Sequence, residues 1–332
     1  MLTETDQLTT IRGAADLEQL GVHEGDVEQL TFLFGHSIEL YCENGWTIET
    51  QQGMLDLIVD YVKSMAGKIT HYQPPGSSRL KRIESSDWKE QFAEHIHASP
   101  DGGPDRFDAI VYGFENGRDD DVPTPYYCEV VSSGTDKRYA KAHAYMPAGW
   151  PEKVASYDDY IDLMKRWCTL IKVAHGTAGF SIIFEEGQSK SRDGRLAFPF
   201  IKRFPGLDYP DSSQWNSRGV DNSPTRVIRS INWLTAIDDG FVTELGGLAT
   251  VTAALGPDCR VHRYEGGIII QAGDRPQLGD VNRGLVLHAY RAVARVLKPL
   301  RFEAFNPKRP YIQVDRPLDS REETLKWLAR FD

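Results

Sequence analysis

The chain has 332 residues, 38 basic and 48 acidic side chains, and a formal net charge of −10. A chain of this length buries enough surface to fold without disulfides or metals, and its acidic balance disfavours direct binding to nucleic acid phosphates. No apolar run approaches the roughly 20 residues that span a bilayer. The N-terminal segment also lacks the apolar stretch of a secretory signal. We therefore expect a cytoplasmic protein without a membrane segment.

The first half of the chain carries signals for both helices and strands. Apolar residues recur at the helical period over 48–66, as in a helix with one buried face. Ser156 and Asp159 match a capping box at the start of another helix, which we expect to end near Gly176. The elements predicted in this half are, in chain order, a polar extension over 1–25, one or two strands over 29–42, a helix over 48–66, a helix from Ser86 to about His95, a hairpin of strands over 108–114 and 125–131, the helix from Ser156, and a strand over 179–187.

The second half begins with a long irregular stretch over 198–225, whose large apolar side chains predict a packed loop. Strands and helices then mix without strict β-α-β alternation. We predict an α+β fold, with a mainly antiparallel sheet packed with several helices, as a single compact unit or two lobes. The elements predicted here are a strand over 226–237, a helix over 244–255, a hairpin over 259–273, a helix over 282–298, and a final helix capped by Ser320.

Glycine and aspartate are frequent in the segment IIIQAGDRPQLGDVNRG at 268–284, which could be a ligand site or a rigid turn. Its spacing matches neither the dinucleotide fingerprint nor the P-loop. Asp274 and Asp280 could bind a hard cation, but Asp274 fits a turn and Asp280 fits a helix cap. The alternative that this loop contacts a protein partner stays open. The residues we interpret as structural turn or cap residues are Gly273, Pro276, Gly279, Asp280 and Gly284.

No local pattern for catalysis is complete. A PD-(D/E)xK nuclease needs an acidic residue on one strand and E-x-K on the next; Asp108 and Glu129 fit, but Val131 stands where the lysine would be. The chain has no GxSxG or HExxH motif, and His95 and His97 lack further ligands at zinc spacing. We predict no catalytic residue, no metal and no cofactor. A metal-dependent hydrolase, built in space from the aspartates of the glycine-rich segment and histidines, is the alternative.

Acidic side chains cluster in two segments, the predicted hairpin loop ENGRDDDVPTP and the end of the predicted strand GFSIIFEEG. Solvated loop charge is one interpretation of these clusters. The other is an anionic patch that docks on a cationic site of another protein. The candidate partner-binding residues are Glu115, Asp119, Asp120, Asp121, Glu185 and Glu186.

Several segments of the second half resemble, in order, the hallmark segments of one bacterial family: FPFIKRFPGLDYPD, RSINWLTAI followed by LGG, GGIIIQAGDRPQLGDVNRG, and YRAVARVLKPLRF. This is the type VI secretion immunity family associated with VRR-Nuc effectors. The resemblance is strongest over 179–303. It implies a family domain over 26–305, with two packed lobes at 26–175 and 176–305 as an alternative, and a C-terminal extension with a short helix over 306–332.

The resemblance also implies a function. Members of the family are similar to cytoplasmic antidotes, which bind a cognate nuclease effector and cover its active site or its DNA-binding surface. The implied partner of this chain is such an effector, with no direct contact to nucleic acid or membrane and no catalysis of its own. An antidote to a different class of cytoplasmic toxin is the remaining alternative.

Overall fold

The computed structural model describes residues 16, 21–23, 30–83, 87–97, 107–114, 122–132, 139–153, 155–185, 191–210, 226–302 and 312–332. The strands in these residues are β1 (Val22–His23), β2 (Leu30–Cys42), β3 (His71–Gln73), β4 (Lys81–Arg82), β5 (Asp108–Tyr112), β6 (Tyr127–Val131), β7 (Ala140–Pro147), β8 (Val173–Phe184), β9 (Leu234–Asp238), β10 (Cys259–Tyr264) and β11 (Gly267–Ala272). The α-helices are α1 (Ile48–Ser64), α2 (Asp87–His97), α3 (Trp150–Lys153), α4 (Tyr157–Leu170), α5 (Ser191–Arg203), α6 (Asp239–Glu244), α7 (Leu248–Leu255), α8 (His288–Leu297) and α9 (Ser320–Leu328).

The described strands form one 11-stranded sheet in the order β10-β11-β9-β8-β2-β7-β6-β5-β3-β4, with β1 beside β2. Neighbouring strands are antiparallel throughout, and β2 pairs with β8 from Phe32–Phe184 to Cys42–Val173. Helices pack against this sheet, so the predicted α+β class with a mainly antiparallel sheet is confirmed. The division between two lobes at 175–176 falls inside β8, and the domain boundaries stay a prediction.

Alternate side chains of the central strands β2 and β7 point to opposite faces of the sheet. Ile38 and Leu40 of β2 and Ala142 and Ala144 of β7 belong to the main hydrophobic core. The buried faces of α1, α4 and α8 belong to the same core. The helical period predicted over 48–66 therefore corresponds to the face of α1 that packs in this core.

A second hydrophobic cluster joins one end of β2 and β8 to two helices of the second half. Phe32 and Phe34 of β2 contact Phe200 of α5, with ring centroids 5.9 and 5.1 Å apart. Trp327 and Leu328 of α9 belong to the same cluster. The final helix is thus anchored to the sheet by apolar contacts.

Two predictions for the middle of the chain are wrong. The helix that begins after Ser156 ends at Leu170, not near Gly176, because Lys172 adopts a φ of 49° and turns the chain into β8. Strand β7 was not predicted at all. The irregular stretch expected over 198–225 begins with the end of α5, which contains Pro199.

Three boundaries in the second half also differ. The strand expected over 226–237 is β9 alone. The helix expected over 244–255 is divided into α6 and α7 by Gly246 and Gly247, whose φ values are 91° and 92°. The final helix is capped by Asp319, whose side chain accepts from the Glu322 amide at 2.8 Å, and not by Ser320.

Three of the four cysteines, Cys42, Cys128 and Cys168, are buried free thiols. Burial raises the pKa of the Cys42 thiol to about 12, so this thiol is protonated at neutral pH. Within the described ranges, every helix is too short or too polar to cross a membrane.

Candidate interaction surface

The segment that leaves β11 forms a tight loop before α8, and we call residues 273–287 the β11–α8 loop. Gly273, Gly279 and Gly284 have φ values of 80°, 64° and 66°, in the left-handed region that favours glycine. Pro276 is buried. The Asp280 and Leu285 backbones exchange two hydrogen bonds, of 3.2 and 2.9 Å, which close the tip of the loop.

Asp280 fixes the loop from inside. Its side chain is 4% exposed and accepts two hydrogen bonds from Arg203 of α5, at 3.1 Å from Nε and 2.8 Å from Nη2. Its Oδ1 also accepts from the Asn282 amide at 3.0 Å, which caps a short 3-10 turn over Val281–Arg283. The Arg203 hydrogen bonds hold the pKa of the Asp280 carboxyl below its usual value, against the opposite effect of burial. The loop therefore carries an ionised carboxylate at neutral pH.

Two further hydrogen bonds hold the base of the loop. The Gly206 amide donates to the Leu278 carbonyl at 2.8 Å. The Gln277 amide donates to the hydroxyl of Tyr290, a buried side chain of α8, at 3.2 Å. The loop is thus tied to the end of α5 on one side and to α8 on the other.

The tip of the loop presents apolar side chains to solvent. Val281 is 62% exposed, Leu285 is 56% exposed and Val286 is 44% exposed. The helix predicted over 282–298 would have buried Leu285. The structure corrects this, because Gly284 ends the 3-10 turn and α8 begins only at His288. A groove of about 490 Å³ runs beside Leu285 and Val286 and extends to Phe180 and Phe204.

The exposed side of α8 continues the same surface with positive charge. The cations Arg291 and Arg295 are exposed and, with the exposed His288, follow one another at the three- and four-residue spacing of one helix face. Lys298 extends the row and pairs with Asp332 at 2.9 Å. Within the described part of the chain, Arg291 and Arg295 form no ion pair. This local excess of cations contrasts with the net charge of −10 for the whole chain.

A cluster of polar side chains lies inside the protein, on the face of the sheet opposite the main core. Thr177, Glu39, His143 and Glu129 stand side by side across β8, β2, β7 and β6. Arg229 pairs there with Glu39 at 2.6 Å and with Asp208, and Lys141 pairs with Glu129. All seven side chains are at most 5% exposed, so solvent and substrate do not reach them. We interpret the cluster as structural.

The lysine missing from the nuclease pattern is therefore present in space, because Lys141 on β7 contacts Glu129 on β6. The pair is enclosed, however, and no group of three metal-ligating side chains that could hold an ion occurs in the described ranges. Asp274 and Asp280 do not converge either: Asp274 pairs with Arg260 at 2.6 Å at the surface, whereas Asp280 pairs with Arg203. A larger cleft of about 640 Å³, between α4 and β10, is lined by paired charges such as Asp60 and Arg166.

Most of the predicted acidic contacts fall outside the described residues: Glu115, Asp119, Asp120, Asp121 and Glu186. Glu185 is described, and it lies half-buried immediately after β8. The sequence did not single out Val281, Leu285 or Val286 as surface residues. The signal that could have done so is the glycine at 284, which interrupts the predicted helix, so that Leu285 and Val286 precede α8.

Comparison with known proteins first places the fold. The structure is similar to that of the Pseudomonas aeruginosa T6SS protein PA0821, with a TM-score of 0.77 at 17% sequence identity, over 96% of this chain and 90% of that chain. At this identity the similarity shows a shared fold.

Sequence comparison then identifies the family of the chain. The model of the TsiV family, described as type VI immunity for VRR-NUC, matches residues 135–331. The chain therefore belongs to this type VI immunity family, and the resemblance drawn from its sequence is confirmed. The match continues beyond residue 305, so the final helix α9 lies within it. No curated protein matches the sequence significantly.

Proposed function

We propose that this protein is the immunity partner of a VRR-Nuc effector, which it binds and neutralises as a stoichiometric inhibitor. The observation that carries the proposal is the family match over 135–331. The protein acts by covering the active site or the DNA-binding surface of the effector and has no catalytic activity of its own. It works in the cytoplasm, where a DNA-cleaving effector meets its substrate.

The charge of the chain supports this mode of inhibition. A protein that holds DNA presents cations to the phosphates, and an inhibitor with a net charge of −10 is attracted to such a surface. We propose that the anionic contacts come from the acidic segments of the sequence. The residues are Glu115, Asp119, Asp120, Asp121, Glu185 and Glu186.

The test is a titration of the purified chain into the VRR-Nuc effector encoded beside its gene, read as cleavage of linear DNA. We expect inhibition that is complete at one equivalent and persists when DNA is in excess. An unrelated DNA nuclease assayed with the same amounts of the chain is the control, and its activity should not change. Full effector activity at several equivalents would refute the proposal, and inhibition of both nucleases would show non-specific capture of DNA or protein.

A second arm tests the acidic contacts. We expect that exchange of Asp119, Asp120 and Asp121 for asparagine slows association with the effector, because charges at the edge of an interface act mainly on the association rate. The matched control exchanges three exposed aspartates for asparagine: Asp56 of α1, and Asp158 and Asp162 of α4. Equal association rates for the two variants would exclude the acidic hairpin loop as a contact.

A further inference from the structure

We propose that the β11–α8 loop and the exposed face of α8 form a docking surface for the effector, and that the effector segment seated there carries apolar side chains flanked by carboxylates. This inference rests on the proposed function, since it assigns the effector as the occupant. The proposed surface is basic, and it is a second contact with the effector in addition to the acidic segments considered above.

The first argument is the rigidity of the loop. Binding loses free energy when flexible side chains and loops become ordered, and a loop fixed beforehand avoids that loss. Here the Asp280–Arg203 ion pair and the two-way backbone pairing of Asp280 with Leu285 fix the tip without any partner. The loop is therefore held in one shape while its outer side chains stay in water.

The second argument is the chemistry of those outer side chains. Isolated exposed apolar residues are common, but a group of them marks a contact surface. Val281, Leu285 and Val286 lie within six positions of one loop, and Leu285 and Val286 border a groove of about 490 Å³. A partner that covers them gains the burial of three branched side chains and an apolar wall that includes Phe180 and Phe204.

The third argument is charge, which selects the occupant. Arg291 and Arg295 continue the surface along α8 and form no ion pair within the described residues, whereas Arg283 at the tip lies 3.5 Å from the Asp280 carboxylate. Complementary potentials across an interface favour the right partner. The segment that fits this surface therefore places acidic residues beside its apolar ones.

The same charges argue against a second copy of the chain as the occupant. In a twofold dimer, the same patch meets itself across the axis. Arg291 and Arg295 of one copy would then face the equivalent cations of the other, and like charges brought together are unfavourable. An acidic segment of a different protein does not meet this repulsion.

The apolar part of the surface is tested by kinetic binding measurements between the full chain and the purified VRR-Nuc effector. The double variant Val281→Ser/Leu285→Ser removes apolar area at the tip without touching the backbone pairing. We expect at least about tenfold weaker binding, mainly through faster dissociation, because most effects of interface mutations appear in the dissociation rate. The matched control is Ile48→Ser, which is 53% exposed at the start of α1. It should bind like the wild type.

The charged part is tested with Arg291→Glu/Arg295→Glu. We expect slower association than in a control variant of the same net charge, because exposed charges beside the contact steer the encounter. The control is Arg79→Glu/Lys81→Glu, which reverses two exposed cations at the β3–β4 end of the sheet, far from β11 in the strand order. Its association rate should not fall below that of the wild type, because it adds the same negative charge away from this surface.

The outcomes separate this inference from the proposed function. If the wild type binds the effector and both test variants bind with wild-type kinetics, the surface is wrong and the proposed function stands. If the wild type does not bind the effector, the proposed function fails and the inference fails with it. If light scattering shows a wild-type dimer that Val281→Ser/Leu285→Ser dissociates, a second copy is the occupant and our assignment is overturned.

Discussion

Three buried histidines should make the stability of this protein fall steeply below neutral pH. His36 of β2, His143 of β7 and His175 of β8 are at most 1% exposed in the centre of the sheet. Loss of solvation on burial lowers the pKa of His36 to about 4 and that of His175 to about 3. Burial, with the nearby charges of Lys141 and Arg229, also holds the pKa of His143 well below its usual value.

The direction and size of the effect follow from proton linkage. A histidine whose pKa is lowered in the folded state takes up its proton on unfolding, so its contribution to stability is complete above about pH 6.5 and is lost as the pH falls below it. Between pH 7.5 and pH 5, His36 and His175 should each lower the free energy of unfolding by about 2 kcal/mol. His143 acts in the same direction. The loss is large compared with a total stability of about 5–15 kcal/mol.

The measurement is urea unfolding followed by tryptophan fluorescence at a series of pH values from 7.5 to 5. The variant His36→Gln keeps a donor for the Ala148 carbonyl, which His36 contacts at 3.0 Å, and removes one titrating group. Its stability should depend less steeply on pH than that of the wild type. His288→Gln, which changes an exposed histidine, is the control. A wild-type stability that does not change over this range, or an unaltered slope in His36→Gln, would refute the reasoning.

Two further predictions concern the β11–α8 loop. Asp280→Asn leaves the Arg203 side chain, which is 9% exposed, without its carboxylate, and should lower the free energy of unfolding in urea by about 3 kcal/mol. The control Asp274→Asn, at an exposed site, should lower it by less than about 1 kcal/mol. Equal losses would contradict a special role for the buried pair. Gly206→Ala would place a methyl group against the Gln277 carbonyl, so we expect a loss of about 1–3 kcal/mol by the same assay, and unchanged stability would show that the loop adapts freely.

Local patterns were sufficient to predict the elements whose cause is local. The helix over 48–66 has a clear apolar period, and the capping box at Ser156 is present with both of its hydrogen bonds. Strand β7 escaped prediction because its inward residues are alanines and its other face carries Lys141 and His143. Both polar side chains lie against Glu129 of β6, at least 12 positions earlier in the chain: Lys141 pairs with it, and His143 Nδ1 lies 3.9 Å from its carboxylate. A pattern read along the chain does not contain that contact.

The β11–α8 loop likewise depends on a contact that local patterns do not contain. The cap at Asp280 is readable, since its partner Asn282 is two residues away, whereas Arg203 comes from 77 positions earlier in the chain. Without that ion pair, residues 282–287 look like the first turns of α8, and Leu285 looks buried.

Net charge is also a poor guide to a local surface. A total of −10 directs attention to the acidic loops, yet Arg291 and Arg295 stand together on α8 beside exposed apolar residues. Ions in solution screen exposed charges over about 8 Å at physiological salt, so a partner at contact distance meets the nearest side chains rather than the total. An acidic protein can therefore be attracted to a basic effector at long range and still bind an acidic segment of it at this surface.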